Sequence, residues 1–212
     1  MGVLPHGRLK YFDNPIFEML TVCPWFMVPL FWIPIACYFF YLSVQSGLAI
    51  EALPFLLVTG ALNWGLAEWL LHKYVFHMDS QSLFTNMLHF LVHGYHHILP
   101  MDNLRLVFPP TFGVIIGYAL WAPMPLLLPM HVAYAHFAGL VLGYVFYDCT
   151  HYFIHHRSTN LPYLRMMKTH HIYHHYTNHN SNYGISSKLY DILFGTNNNP
   201  VGISNLAASA KQ

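Results

Sequence analysis

The chain has 212 residues, enough for a single domain, with 55% hydrophobic and only 8% charged residues. Soluble domains carry roughly 25% charged residues, so a fully water-facing fold is excluded. The net charge of +1, with histidines neutral, offers no concentrated Lys and Arg surface for phosphate and argues against a nucleic-acid partner.

Met1 to Tyr11 lacks the apolar segment of a signal peptide, so the first span reads as an uncleaved anchor. From Met19 to Ile50 there is no Asp, Glu, Lys or Arg, a stretch longer than the roughly 20 residues that cross a bilayer. A span is expected over residues 22–42. A second, over 52–71, is interrupted only by Glu68, and the two form a hairpin. Leu106 to Tyr147 is again free of charge, and Pro123, Pro125 and Pro129 divide it, because proline favours a turn there. Two further spans follow, over 111–127 and 131–147. The nine Lys and Arg residues all fall outside the two hairpin turns. By the positive-inside rule both termini and the segments 72–105 and 148–196 face the cytosol. The expected fold is an all-α integral membrane protein, one domain over 1–212, with four transmembrane helices under a cytosolic helical cap.

Histidine is the conspicuous residue of the cap. His72 and His77 form HxxxxH; His93, His96 and His97 form HxxHH; His151 and His155 form HxxxH; His171, His174 and His175 repeat HxxHH. Neutral imidazole is the commonest metal ligand, and residues three and four apart share a helix face. Each cluster therefore aims two or three imidazoles the same way. His72 and His77, five apart, lie about 140° around an α-helix, which gives them different ions or sets them astride one site. Ten ligands divide into five per ion, which favours a dinuclear centre with an open position over a four-ligand structural zinc site. Imidazole and oxygen chemistry together favour iron.

The other histidines read differently. His6, His131, His136 and His179 stand outside the repeats and are expected at the surface or as caps, with His131 and His136 at the opposite membrane end. His89, His156 and His170 border the clusters, where they would support the ligands from behind. Glu68, Asp79, Asp102, Asp148 and Asp191 are the carboxylates placed to accept a ligand's second N–H. Cys23, Cys37 and Cys149 form no metal motif, and Cys149 reads as a packed thiol.

These residues resemble the fatty acid hydroxylase and sterol desaturase superfamily, and within it the fatty acid 2-hydroxylases. The resemblance rests on Glu68 to His77, His89 to His97, Pro100-Met101-Asp102, Arg105 to Pro110, Tyr147 to Tyr152, His171 to Tyr176, Gly184-Ile185-Ser186 and Phe194-Gly195-Thr196. It implies a multi-pass enzyme of the endoplasmic reticulum membrane, with termini and metal site cytosolic. It implies two metal ions held by the ten histidines, iron for activity and zinc in a purified sample. Dioxygen and electrons from cytochrome b5 and its reductase would then hydroxylate carbon 2 of a fatty acid or ceramide acyl chain, in sphingolipid biosynthesis. Tyr147 and Asp148 match a pair that supports the site. Met1 to Glu18 is too short for a fused cytochrome b5 domain, so the electrons are expected from a separate protein. Ser181-Asn182-Tyr183 stands where relatives often have Gly-Phe, which bears on substrate preference. A sterol desaturase or methyl oxidase shares the histidine pattern, and a membrane metal transporter is the alternative outside enzymes. A transporter would set its ligands near the bilayer midplane, whereas these lie at span ends.

Overall fold

The computed structural model describes residues 9–79 and 81–198; His6, Arg8, Lys211 and the tail lie outside them. The described elements are α1 (Pro15–Met19), α2 (Met27–Gln45), α3 (Leu53–Leu71), α4 (Leu83–His89), α5 (Tyr95–Ile98), α6 (Pro110–Trp121), α7 (Met124–Leu127), α8 (Met130–His156), α9 (Pro162–Tyr176) and α10 (Leu189–Leu193). A 3-10 turn, Ile50–Ala52, leads into α3, and π-helical turns extend α3 over His72–Phe76 and α4 over Phe90–Gly94. Four helical stretches are long and apolar enough to cross a membrane: Met27–Gln45, Ile50–Phe76, Pro110–Leu127 and Met130–His156. The chain is thus an all-helical, multi-pass membrane protein.

Span boundaries differ from the sequence expectation at several points, the second span for one running on to Phe76 rather than residue 71. The first helix starts at Met27 rather than residue 22, because Cys23 donates its N–H to Leu104 O at 2.7 Å and ties the lead-in to the cap. The fourth runs nine residues past Tyr147, to His156. Asp148 does not end it, because its carboxylate is buried and accepts from the Phe108 N–H at 3.0 Å and the Tyr144 hydroxyl at 2.9 Å. His151 and His155 therefore ride on a continuous rod from the membrane.

α8 is the central helix, packed against α2 and α3. Its contact with α3 uses glycines as small-residue notches. A Cβ on Gly60 would sit 2.1 Å from His136 O, and one on Gly139 would sit 2.3 Å from Leu57 O. His136 is not a surface or capping residue. It is buried in this interface, bonded to Asn63 Nδ2 at 2.8 Å and Thr59 Oγ1 at 3.3 Å, partners that an imidazole in an apolar layer requires. α6 stands further out, with Gly113 and Gly117 against the Trp32 ring.

The cap is tied down by Arg105. Its guanidinium bonds Glu18 and Leu9 O, reaches Thr21 Oγ1 at 3.3 Å, and lies 4.0 Å from the Tyr11 ring centre. Tyr95, buried below it, donates its hydroxyl to Asp102 at 2.7 Å.

Candidate metal centre

The ten clustered histidines converge into two groups. His72, His77, His93, His97 and His174 form one; His96, His151, His155, His171 and His175 form the other, and within each group the ligand nitrogens all lie within 4.8 Å of one another. Helix geometry explains the partition. Residues four apart differ by only about 40° around an α-helix, whereas neighbours differ by about 100°. His93 pairs with His97, His151 with His155, and His171 with His175, while His96 and His174 are thrown across to the opposite group. An HxxHH triad thus does not aim all three rings one way, as its spacing alone suggests; it divides two to one.

Of the two expectations for His72 and His77, separate ions or one shared site, the structure agrees with the shared site. They share the first group, because the turn between them is π-helical: the His77 N–H bonds His72 O at 3.1 Å. That wider turn brings residues five apart onto nearly one face. Single π turns are frequent at functional sites.

Within the groups the ring nitrogens face each other. In the first, Nε2 separations are 3.1 Å for His72–His93, 3.0 Å for His77–His174 and 3.0 Å for His93–His97. In the second they are 3.0 Å for His96–His151, 3.1 Å for His151–His171, 2.8 Å for His155–His171 and 2.9 Å for His171–His175. Nitrogens bound at roughly 2.1 Å to one ion and at right angles are about 3.0 Å apart; tetrahedral ones are about 3.4 Å apart. The separations fit five-coordinate groups. His72 and His174 use Nδ1 to donate to Tyr183 O at 2.6 Å and Ser181 O at 2.7 Å. Their Nε2 atoms must then carry lone pairs pointed at other rings, a repulsion that a cation relieves. The donor set therefore fits a dimetal site.

Protonation is disfavoured throughout. Burial, and then the neighbouring imidazole of His174, pull His77 down to about 3; burial lowers His174 to about 4, opposed by its bond to Ser181. His93, His96 and His171 lie well below the ordinary histidine value, by burial first and their neighbours second. Neutral imidazoles are the form that binds metal.

The surrounding residues were less legible. Glu68 touches no histidine ligand among its hydrogen bonds; it accepts from the Ile185 and Ser186 N–H groups and the Ser186 hydroxyl. Asp191 accepts from His170 Nε2 at 2.9 Å, Thr196 Oγ1 at 2.7 Å, Tyr183 N at 2.9 Å and Gly184 N at 2.8 Å. Burial opposes this carboxylate, yet His170, Thr196 and the backbone donors bring its pKa below the ordinary value. Asp102 accepts from the Tyr95 hydroxyl and the Leu104 N–H, and Asp79 is exposed. His89, His156 and His170 stay outside both groups; His156 stacks beside Tyr152. His179 is exposed, yet its ring centre lies 5.1 Å from that of His97 and 6.1 Å from that of His174. Cys149 packs against the apolar core.

Residues 57–196 match the fatty acid hydroxylase family. The chain belongs to that family. This fatty acid hydroxylase is 38% identical to a dihydroceramide fatty acyl 2-hydroxylase of Arabidopsis thaliana, over 88% of the chain and 79% of the relative. It is 41% identical to a ceramide very long chain fatty acid hydroxylase of Schizosaccharomyces pombe and 36% to human fatty acid 2-hydroxylase, over 90% and 89% of the chain. It spans only about half of those two relatives, 55% and 56%. The solved structure of scs7p, in which only the hydroxylase domain is visible, superposes with a TM-score of 0.84 at 38% identity, covering 90% of this chain and 72% of that one.

Two cavities lie near the hydroxylase's histidines, and one of them is lined by three of the rings. One exposes His93, His96 and His151 beside Arg105, Tyr147 and Asp148. The other lies among the spans, walled by Trp32, Trp64, Gly113, Gly117, Leu120 and Leu140. Phe76, Phe108 and Tyr147 line both. Of the aromatics near the site, Phe108 thus lies on the path; Tyr95 and Tyr152 are packed into the interior.

Proposed function

We propose that the ten histidines hold two metal ions, iron in the working enzyme and zinc where it displaces iron, and that the centre hydroxylates carbon 2 of an acyl chain. Family membership and the two histidine groups make the chain a fatty acid or ceramide acyl 2-hydroxylase, an oxidoreductase. The reaction takes one dioxygen, two electrons and two protons; one oxygen atom enters the C–H bond and the other leaves as water. When bound, the metal supplies the one-electron redox chemistry that dioxygen requires.

The observation that carries this reading is the wall of Phe76, Phe108 and Tyr147 that the two cavities share. Attack at carbon 2 leaves a carbonyl and headgroup on one side of the reacting carbon and a long alkyl tail on the other. The cavity with His93, His96 and His151 presents polar groups from both histidine groups, and the apolar cavity among the spans suits the tail. Phe76, Phe108 and Tyr147 would hold the substrate's first carbons between them. Asp148, bonded to Phe108 N and Tyr144, fixes that wall, and with Tyr147 it supports the site.

Electrons would come from cytochrome b5 and its reductase, on the cytosolic face of the endoplasmic reticulum membrane, the side that the positive-inside rule favours for a basic cap. The test is expression in cells lacking 2-hydroxylase, with cytochrome b5 and reductase supplied, followed by mass spectrometry of ceramides. The expected result is 2-hydroxylated ceramides without change in sterols; no hydroxylated product overturns the proposal.

A further inference from the structure

The segment 181–186 crosses between the two ends of the centre, and its backbone does more than connect α9 to α10. Ser181 O receives the Nδ1–H of His174, and Tyr183 O receives that of His72. Both rings belong to the first histidine group; no ring of the second group has a recorded bond to this segment among the described residues. The segment is held in turn from below. Asp191 is fully buried and accepts from both Tyr183 N and Gly184 N, and its other donors come from α9, through His170, and from Thr196. Thr196 Oγ1 also receives Trp69 Nε1 at 3.0 Å, so the same carboxylate is linked to α3, one turn before His72. Asn182 N donates to Thr196 O at 2.9 Å, and Asn182 takes a left-handed conformation at φ +59°. At Gly184 a Cβ would lie 2.1 Å from Ser187 O and 3.0 Å from Asp191 Oδ2. The loop therefore fits the carboxylate only in this one path.

We infer that Asp191 is a positioning residue for the first metal ion alone: it sets the Ser181 and Tyr183 carbonyls that orient His174 and His72. This rests on the reading of the histidine groups as two metal sites. Partners behind metal-ligating histidines change affinity by about 10- to 100-fold. The carboxylate acts through two carbonyls on two of the five rings of the first group; its bond to His170 reaches α9 beside His171, but no ring of the second group bonds the loop among the described residues.

The experiment is a zinc titration of purified full-length protein against a competing chelator, with metal per chain read by elemental analysis. The wild type binds two ions. In Asp191→Asn one ion is held about 10- to 100-fold more weakly and the other is unchanged. The site is assigned with two further backgrounds. In His155→Ala, which spares the first group, adding Asp191→Asn weakens the remaining ion; in His77→Ala, which spares the second, it does not. Equal weakening of both ions, or of neither, overturns the inference. If Asp191→Asn does not fold, Thr196→Val removes one donor from the same carboxylate and is judged by the same comparison. A wild type that binds fewer than two ions refutes the two-site reading itself, a separate failure.

Discussion

The two histidine groups use the same construction and sit in different surroundings. Each combines two pairs from single helices with one ring thrown across from a neighbouring triad. In the first group His77 and His97 are only partly buried, and the loop carbonyls hold His72 and His174. In the second all five rings are buried, two of them carried by the rod-like end of α8. Identical ligand chemistry therefore comes with unequal access. His77 and His97 give the first group partial exposure, whereas the second group is buried and meets a cavity at His96 and His151.

The strongest way to break this comparison is to remove a crossing ring. His174→Ala leaves the helix of the second group intact and takes a ligand from the first; His96→Ala does the reverse. Hydroxylation should fall below detection in both, with metal content falling from two ions to about one, consistent with the tenfold or larger affinity losses seen around such sites. Two ions retained in either variant would contradict the assignment of that ring.

Chelation sharpens the same contrast at a smaller scale. Metal release into excess chelator should show two phases of about equal amplitude, the faster from the first group, because His77 and His97 are partly exposed. His77→Ala should remove the fast phase and leave the slow one. A single phase in the wild type would show that the groups exchange as one.

Acid tests the groups without mutation. His77 and His174 are held near 3 and 4 in the folded protein, below an unfolded value of about 6.5. The unfolded chain then binds more protons, so stability of the metal-free protein is full above about 6.5 and is lost progressively as pH falls towards those folded values. Thermal unfolding of the metal-free protein from pH 8 to 5 should show a falling midpoint over the lower half of that range. A flat profile would refute the burial-driven shift.

The smallest effect belongs away from the centre. His136→Leu removes the bonds to Asn63 and Thr59 between α3 and α8, and interhelical bonds of this kind contribute about 0.6 to 1.7 kcal/mol. Chemical denaturation in detergent should show that modest loss, with two metal ions retained.

Hydropathy made the four spans and their shared end legible, because charge-free runs have no other stable home in so apolar a chain. The ten clustered histidines were legible too, since their spacings are helical, and the structure gathers them into two groups. Their division between groups was not. HxxxxH reads as splayed on an α-helix, and only the π turn at His72–Phe76 closes it. The HxxHH triads look like single faces until the 100° between adjacent residues is counted. Glu68 was visible as a carboxylate near histidines, but its targets are loop amides far away in sequence, and Asp191 takes the non-clustered His170 together with loop amides just before it. His136 was misplaced because a lone histidine carries no periodicity, and its partners lie on another helix. Backbone carbonyls such as Ser181 O and Tyr183 O leave no trace in side-chain identity at all.

The adjacent pairs His96-His97 and His174-His175 each place one ring in either group. Neighbouring Cα atoms are about 3.8 Å apart whatever the packing around them. Covalent backbone, twice over, is thus the gauge that spaces the two centres. Side chains elsewhere can drift, lipids can press on the spans, and a substrate can wedge into the cavity, yet the two halves of the reaction stay in step. Evolution can exchange what surrounds such a gauge far more freely than it can lengthen it by a single residue.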